Sequence, residues 1–195
     1  MATDAPSAQA TPDRAGYRIR AAVEADGEDL RRLIAASIRG LGAPDYTPRQ
    51  IEAALTGAFG VDTQLIADGT YFVVVAPTDE LVACGGFSFR ATLFGSDTAS
   101  VRDARRLDPT REAARIRAFF VHPAHARRGL GAWLLEISET AARAHGFTAF
   151  ELMATLPGTR LYRTRGYVGE TVLDHPLPGG ERIRFVPMRK ADAAG

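Results

Sequence analysis

Cysteine occurs once in the 195 residues, as Cys84, which excludes an intramolecular disulfide and any cysteine-based metal cluster. It lies in the apolar run Leu81-Val82-Ala83-Cys84-Gly85-Gly86, where a small buried thiol is the simple reading and no neighbouring base marks a nucleophile. Lysine also occurs once, as Lys190, so nearly all positive charge is arginine. Lys plus Arg number 24 and Asp plus Glu 23, a net charge of +1. That balance argues against a general nucleic-acid or membrane-surface binder, either of which needs a sustained basic face. No run approaches the roughly 18 apolar residues of a membrane-spanning helix. The first residues, MATDAPSAQATPDRAG, lack the apolar centre of a secretory signal, so residues 1–16 read as a disordered lead. A cytoplasmic location follows as the default expectation.

What is present fits one domain from Tyr17 onward: 46% of residues are hydrophobic, enough for a single core. Tyr17–Ala21 alternates like a strand, and Asp26 offers a cap before Leu30, Leu33, Ile34 and Ile38 at helical spacing, ended by Gly40 and Gly42. Thr47-Pro48-Arg49-Gln50 has the capping-box pattern of a second helix through Leu55. Tyr71–Ala76 and Leu81–Arg90 read as a hairpin around Pro77–Glu80. Ala91–Arg111 is polar and aperiodic, long for a hairpin loop, and reads as a functional flap or a mobile segment. Ala113–Val121 is the next strand, and a helix opens near Gly129, with Leu130, Trp133, Leu134, Ile137 and Ala141 on one face and His145-Gly146 at its end. Thr148–Met153 is expected as a strand, Gly158–Arg165 as a short helix, and Tyr167–Leu173 and Arg182–Met188 as two final strands.

The chemistry concentrates in Phe119–Trp133, FFVHPAHARRGLGAW. A strand entering a helix through an Arg/Gly-rich loop suits an anion, because the first helical turn has unpaired N–H groups and partial positive charge. Gly129 and Gly131 allow close backbone approach, and Arg127 and Arg128 add charge for phosphate oxygens. His122-Pro123 interrupts strand pairing just before the loop. A Rossmann fingerprint fails because position 134 is Leu, and a P-loop fails because no Gly-Lys-Ser/Thr follows. The bland alternative is a helix start with glycines for packing and exposed arginines.

On these residues the sequence resembles the GNAT superfamily of N-acetyltransferases. The family loop, Arg/Gln-x-x-Gly-x-Gly/Ala after a strand ending Val-x-Pro, is matched by Val121-His122-Pro123 and Ala126-Arg127-Arg128-Gly129-Leu130-Gly131, departing at Ala126. Leu161-Tyr162-Arg163-Thr164-Arg165-Gly166-Tyr167 is similar to the family's Tyr-x-x-x-Gly-Phe/Tyr signature, and the resemblance spans Tyr17 to Lys190. It implies an α/β (α+β) fold: a mixed, twisted sheet of about seven strands with about four helices, whose fourth and fifth strands splay apart. It implies acetyl-CoA as cosubstrate, without a metal, held by Phe119, Phe120, Val121, Arg127, Arg128, Gly129, Leu130, Gly131, Ala132 and Trp133. A backbone N–H near Val121 would polarise the thioester carbonyl. Direct attack of an amine would follow, with Tyr162 as general acid and Tyr167 as a core residue.

The general base stays open among His122, His125, Tyr46, Glu112 and ordered water. Asp97, Asp103 and Asp108 are candidates to bind a cationic amine, although their alternation with Arg102, Arg105 and Arg106 also fits a solvated, charge-balanced loop. A small-molecule amine is the expected acceptor in preference to a protein, and the resemblance allows a homodimer. Two other functions compete: a non-catalytic acyl-CoA-binding or sensing module, and an interaction domain without the cofactor.

Overall fold

The computed structural model describes residues 14–95, 97 and 103–191. Seven strands form one sheet in the order β1-β2-β3-β4-β5-β7-β6. They are β1 (Arg18–Ala21), β2 (Tyr71–Val75), β3 (Leu81–Ser88), β4 (Ala114–Val121), β5 (Ala149–Thr155), β6 (Leu173–Pro176) and β7 (Arg182–Ala191). Among the described residues five α-helices accompany them: α1 (Gly27–Gly42), α2 (Pro48–Leu55), α3 (Thr63–Ala67), α4 (Leu130–Ala144) and α5 (Thr159–Arg163). Neighbouring strands are antiparallel except β4 and β5. That parallel pair needs a crossover, which α4 supplies.

Helices cover both faces, and strand alternation decides which side chain meets which helix. Val73, Val75, Cys84 and Phe120 pack with Leu30, Ile34, Ile38 and Ile51 of α1 and α2. The alternate residues Val74, Val82 and Ala83 pack with Leu130, Trp133 and Leu134 of α4. The interior strand β3 is therefore buried along almost its whole length.

Local signals largely act as expected. Gln50 N–H donates to Thr47 Oγ1 at 3.3 Å, and Thr47 N–H donates to Gln50 Oε1 at 2.9 Å, closing the capping box of α2. Such a cap stabilises a helix by about 1 kcal/mol. The single lysine has a structural partner: Lys190 Nζ lies 2.7 Å from Glu139 Oε2, and the Tyr167 hydroxyl donates to Glu139 Oε1 at 3.0 Å. This network joins β7 and the segment after α5 to α4.

Three expectations change. Thr63–Ala67 forms the additional helix α3, whose Thr63 N–H donates to the Asp97 carboxylate at 3.0 Å. Tyr167–Leu173 is not a strand: Val168 makes an isolated bridge with Arg189, and strand pairing begins only at Leu173. Tyr167 is nevertheless a core residue, as expected. Ala91–Arg111 is anchored near its ends, because Ala91 N–H donates to Arg105 O at 2.9 Å and Leu107 N–H to Phe89 O at 2.8 Å. The expectation for the lead lies outside the described residues up to residue 13; Arg14 bridges Tyr17. Among the described residues, no helix is long and apolar enough to cross a membrane.

Candidate active site

Strands β4 and β5 pair only at Ala114–Phe150 and Arg115–Glu151. Arg115 and Glu151 also form an ion pair, so side chains clamp the strands where their backbones meet. Beyond that point the two strands part, and the pairing of β4 with β3 shifts register between Cys84 and Gly86. Ala118 sits in this irregularity with φ 57°, a left-handed conformation costing a non-glycine residue about 1–2 kcal/mol.

The bulge is held from below. The Tyr71 hydroxyl donates to the Ala118 carbonyl at 3.3 Å, and the Cys84 thiol approaches it at 3.8 Å. Carbonyl and N–H of one trans peptide point in opposite directions. Fixing the Ala118 oxygen toward β2 and β3 therefore aims the Phe119 N–H away from them, toward the opening beside β5. The Val121 N–H is engaged differently: it donates to Ser37 Oγ of α1 at 3.2 Å. On β3, Gly85 keeps space for the Phe119 ring, since a Cβ there would stand 2.6 Å from Phe119 and from Leu134.

A cavity of about 80 Å³ occupies the opening, lined in part by Ala118, Phe119, Met153 and Tyr162. Tyr162, on α5, is 8% exposed, and its ring meets Phe119 edge-on at 6.3 Å and Tyr167 at 5.7 Å. Its hydroxyl has no hydrogen-bond partner among the described residues. Burial raises its pKa, which keeps the phenol protonated well above neutral pH. Leu161 brings α5 against α4: a Cβ on Gly131 would lie 3.2 Å from its side chain.

Where β4 ends, the loop turns twice through left-handed backbone, at Arg127 (φ 65°) and Gly129 (φ 80°). Gly129 tolerates this conformation, and the space where its Cβ would stand is open. Trp133 N–H donates to Gly129 O at 3.0 Å, closing the first turn of α4. By helix geometry, the N–H groups of Leu130, Gly131 and Ala132 have no intrahelical acceptor, a disposition suited to phosphate oxygens. The expected cofactor residues thus divide. Leu130, Trp133 and Phe120 bury their side chains in the core, whereas Arg127 is exposed and makes no ion pair among the described residues. Arg128 donates to the Tyr17 hydroxyl at 2.9 Å, which is also 2.9 Å from His125 Nδ1.

None of the side chains considered as a general base lines the cavity. The Tyr46 hydroxyl donates to Arg184 O at 2.9 Å and accepts from Leu156 N–H at 2.8 Å, and burial pushes its pKa to about 12. Glu112 precedes β4 at the end remote from the bulge and is paired with Arg105 at 2.8 Å. His122 Nδ1 accepts the Ala124 N–H at 3.3 Å, and His125 is turned to Tyr17, its pKa lowered by burial and then by Arg128. Asp103 and Asp108 accept the backbone N–H groups of Arg105 and Thr110, both at 2.9 Å, so each serves its own loop. Sequence reasoning missed the ion pair between Arg117 and Asp62 at 2.8 Å, with both side chains almost wholly buried beside the cavity. Its one visible signal is the pair of arginines, Arg115 and Arg117, inside the otherwise apolar strand β4.

A parted parallel strand pair, a bulge at the opening and a helix start with unpaired N–H groups thus meet at one end of the sheet. The chain matches the model of the acetyltransferase (GNAT) family over residues 18–167, and it belongs to that family. A GCN5-related N-acetyltransferase structure from Rhodopseudomonas palustris superposes with TM-score 0.67 at 19% identity, covering 91% of this chain and 96% of that one. The PaiA N-acetyltransferase of Thermoplasma acidophilum, solved in complex with coenzyme A, gives 0.59 at 14% identity over 90% and 98%. The ribosomal-protein-S18-alanine N-acetyltransferase of Escherichia coli gives 0.57 at 15% identity over 92% and 96%. These likenesses concern the fold. No curated protein matches the chain in sequence.

Proposed function

We infer that residues 17–190 form one N-acetyltransferase domain, which moves an acetyl group from acetyl-CoA to an amine by direct attack in a ternary complex. The observation that carries this reading is the cavity at the parting of β4 and β5, which joins the bulge to Tyr162. The pyrophosphate would be held by the N–H groups of Leu130, Gly131 and Ala132, with Arg127 and Arg128 adding charge. Phe119, Phe120 and Val121 would line the path of the pantetheine arm. Acetyl-CoA supplies the acetyl group as a thioester, whose carbonyl carbon takes the amine's lone pair while the C–S bonding electrons leave with sulfur.

The chain's own residues act on the charges that this creates. The Phe119 N–H, aimed by the fixed Ala118 carbonyl, stabilises the developing oxyanion. Tyr162 gives its phenolic proton to the departing sulfur and regains one from solvent, while the amine's surplus proton leaves to water. A free phenol, at about 10, is a weaker acid than a thiol, at about 8.5. Burial by Phe119 and Met153 disfavours thiolate and phenolate alike, so the phenol's proton passes to the sulfur as the C–S bond breaks and solvent reprotonates the phenol, leaving no anion in the cleft.

The test is thiol release from acetyl-CoA across a panel of amines, comparing wild type with Tyr162→Phe. Turnover should fall about 100-fold or more in the variant while CoA affinity is kept, in line with loss of a general acid. Unchanged turnover would remove Tyr162 from that role. Tight CoA binding with no turnover on any amine would favour a binding or sensing module.

A further inference from the structure

The cavity wall facing away from the cofactor loop is aromatic. Phe59 after α2 meets Phe120 at 5.9 Å and Phe185 of β7 at 5.9 Å, and Phe94 after β3 meets Phe185 at 5.7 Å. Among the described residues no carboxylate lines this cavity. The charged residue at its edge, Arg117, is paired with Asp62 and donates to Gly95 O at 2.6 Å. The acids of the neighbouring segment turn to backbone: Asp97 accepts the Thr63 N–H and Asp103 the Arg105 N–H.

This lining discriminates by charge. A polyamine or a basic peptide would face phenyl rings with several ammonium groups and no carboxylate to replace their water, at a large desolvation cost. A zwitterionic amino acid would bring a carboxylate whose cationic partner, Arg117, is already engaged. An apolar body gains by burial against the rings, and its one nitrogen can rest against them before losing its proton.

We propose that the acceptor is a primary amine on an uncharged, apolar body the size of an aromatic ring, seated among Phe59, Phe94 and Phe185. This rests on the acetyl-transfer reading. The experiment compares kcat/KM for 2-phenylethylamine, n-propylamine, spermidine and a lysine-containing peptide, using the full chain and acetyl-CoA, with calorimetry of CoA binding alongside.

2-Phenylethylamine is expected to exceed each of the others by about tenfold or more. Phe94→Ala should cut its advantage over n-propylamine about tenfold, with folding checked by thermal melting. Ala58→Leu, which narrows the cavity with a residue at its edge, should cut the same ratio. Faster turnover of spermidine or the peptide would overturn the proposal and leave acetyl transfer standing. CoA binding without turnover of any amine would overturn the catalytic reading. Calorimetry of 2-phenylethylamine on the CoA-loaded chain then decides the acceptor class, saturable binding supporting it and no binding overturning it. No CoA binding and no turnover would overturn both.

Discussion

The Tyr71 hydroxyl donates to the carbonyl of Ala118 at 3.3 Å, across β3 from one strand to the bulge of another. Tyr71 is fully buried, and burial raises its phenol pKa well above the ordinary value, so it remains a donor at any working pH. This contact links the interior of the sheet to the N–H that the proposed reaction needs.

Tyr71→Phe should keep CoA affinity and reduce kcat about tenfold, because the Ala118–Phe119 peptide loses its anchor but keeps its place. Deleting an oxyanion donor outright typically costs 100-fold or more, so a partial loss is the expected sign of misalignment. Steady-state kinetics with calorimetry of CoA binding separates the two effects. A rise in KM alone, at unchanged kcat, would contradict the role.

Gly129→Ala tests the loop. The space is open, so any penalty comes from backbone conformation at φ 80°. A stability loss of about 1–2 kcal/mol is expected, measured by urea unfolding, together with weaker CoA binding as the first turn of α4 shifts.

The Arg117–Asp62 pair should be costly to break from one side. Arg117→Met leaves a carboxylate that is 1% exposed without its cation, and a loss of about 3–5 kcal/mol is expected. The double variant Arg117→Met with Asp62→Leu should recover much of it. Urea unfolding of both variants gives the comparison.

Glu112 carries a pH prediction with a definite sign. Its hydrogen bonds to Arg105 and to the Asp108 N–H lower its pKa from 4.5 to about 2. A depressed carboxylate contributes stability above its unfolded value and loses it as pH falls through the folded one. The gap in melting temperature between wild type and Glu112→Gln should therefore be present at pH 7 and close between about pH 4.5 and 2.

Much of this fold was legible because its signals are local. The capping box at Thr47 and the spacing of Leu30, Leu33, Ile34 and Ile38 each depend on residues within a few positions. The helix opening after Gly129 announced itself through glycine and the loop motif. What stayed hidden depends on distant partners. Helix α3 has no side-chain cap of its own and receives Asp97 from 34 positions away. The bulge falls on Ala118, a residue type that gives no sign of left-handed backbone. Tyr46 looked available as a base, yet its hydroxyl is held by Arg184 and Leu156, more than 100 residues along the chain.

The most direct test of the central claim is mass spectrometry of the amine after incubation with acetyl-CoA bearing a deuterated acetyl group. One deuterated acetyl group on the amine nitrogen and one equivalent of free CoA thiol are expected, with strong loss of both in Tyr162→Phe. Thiol release without acetylated amine, or neither product from any amine in the panel, would contradict it.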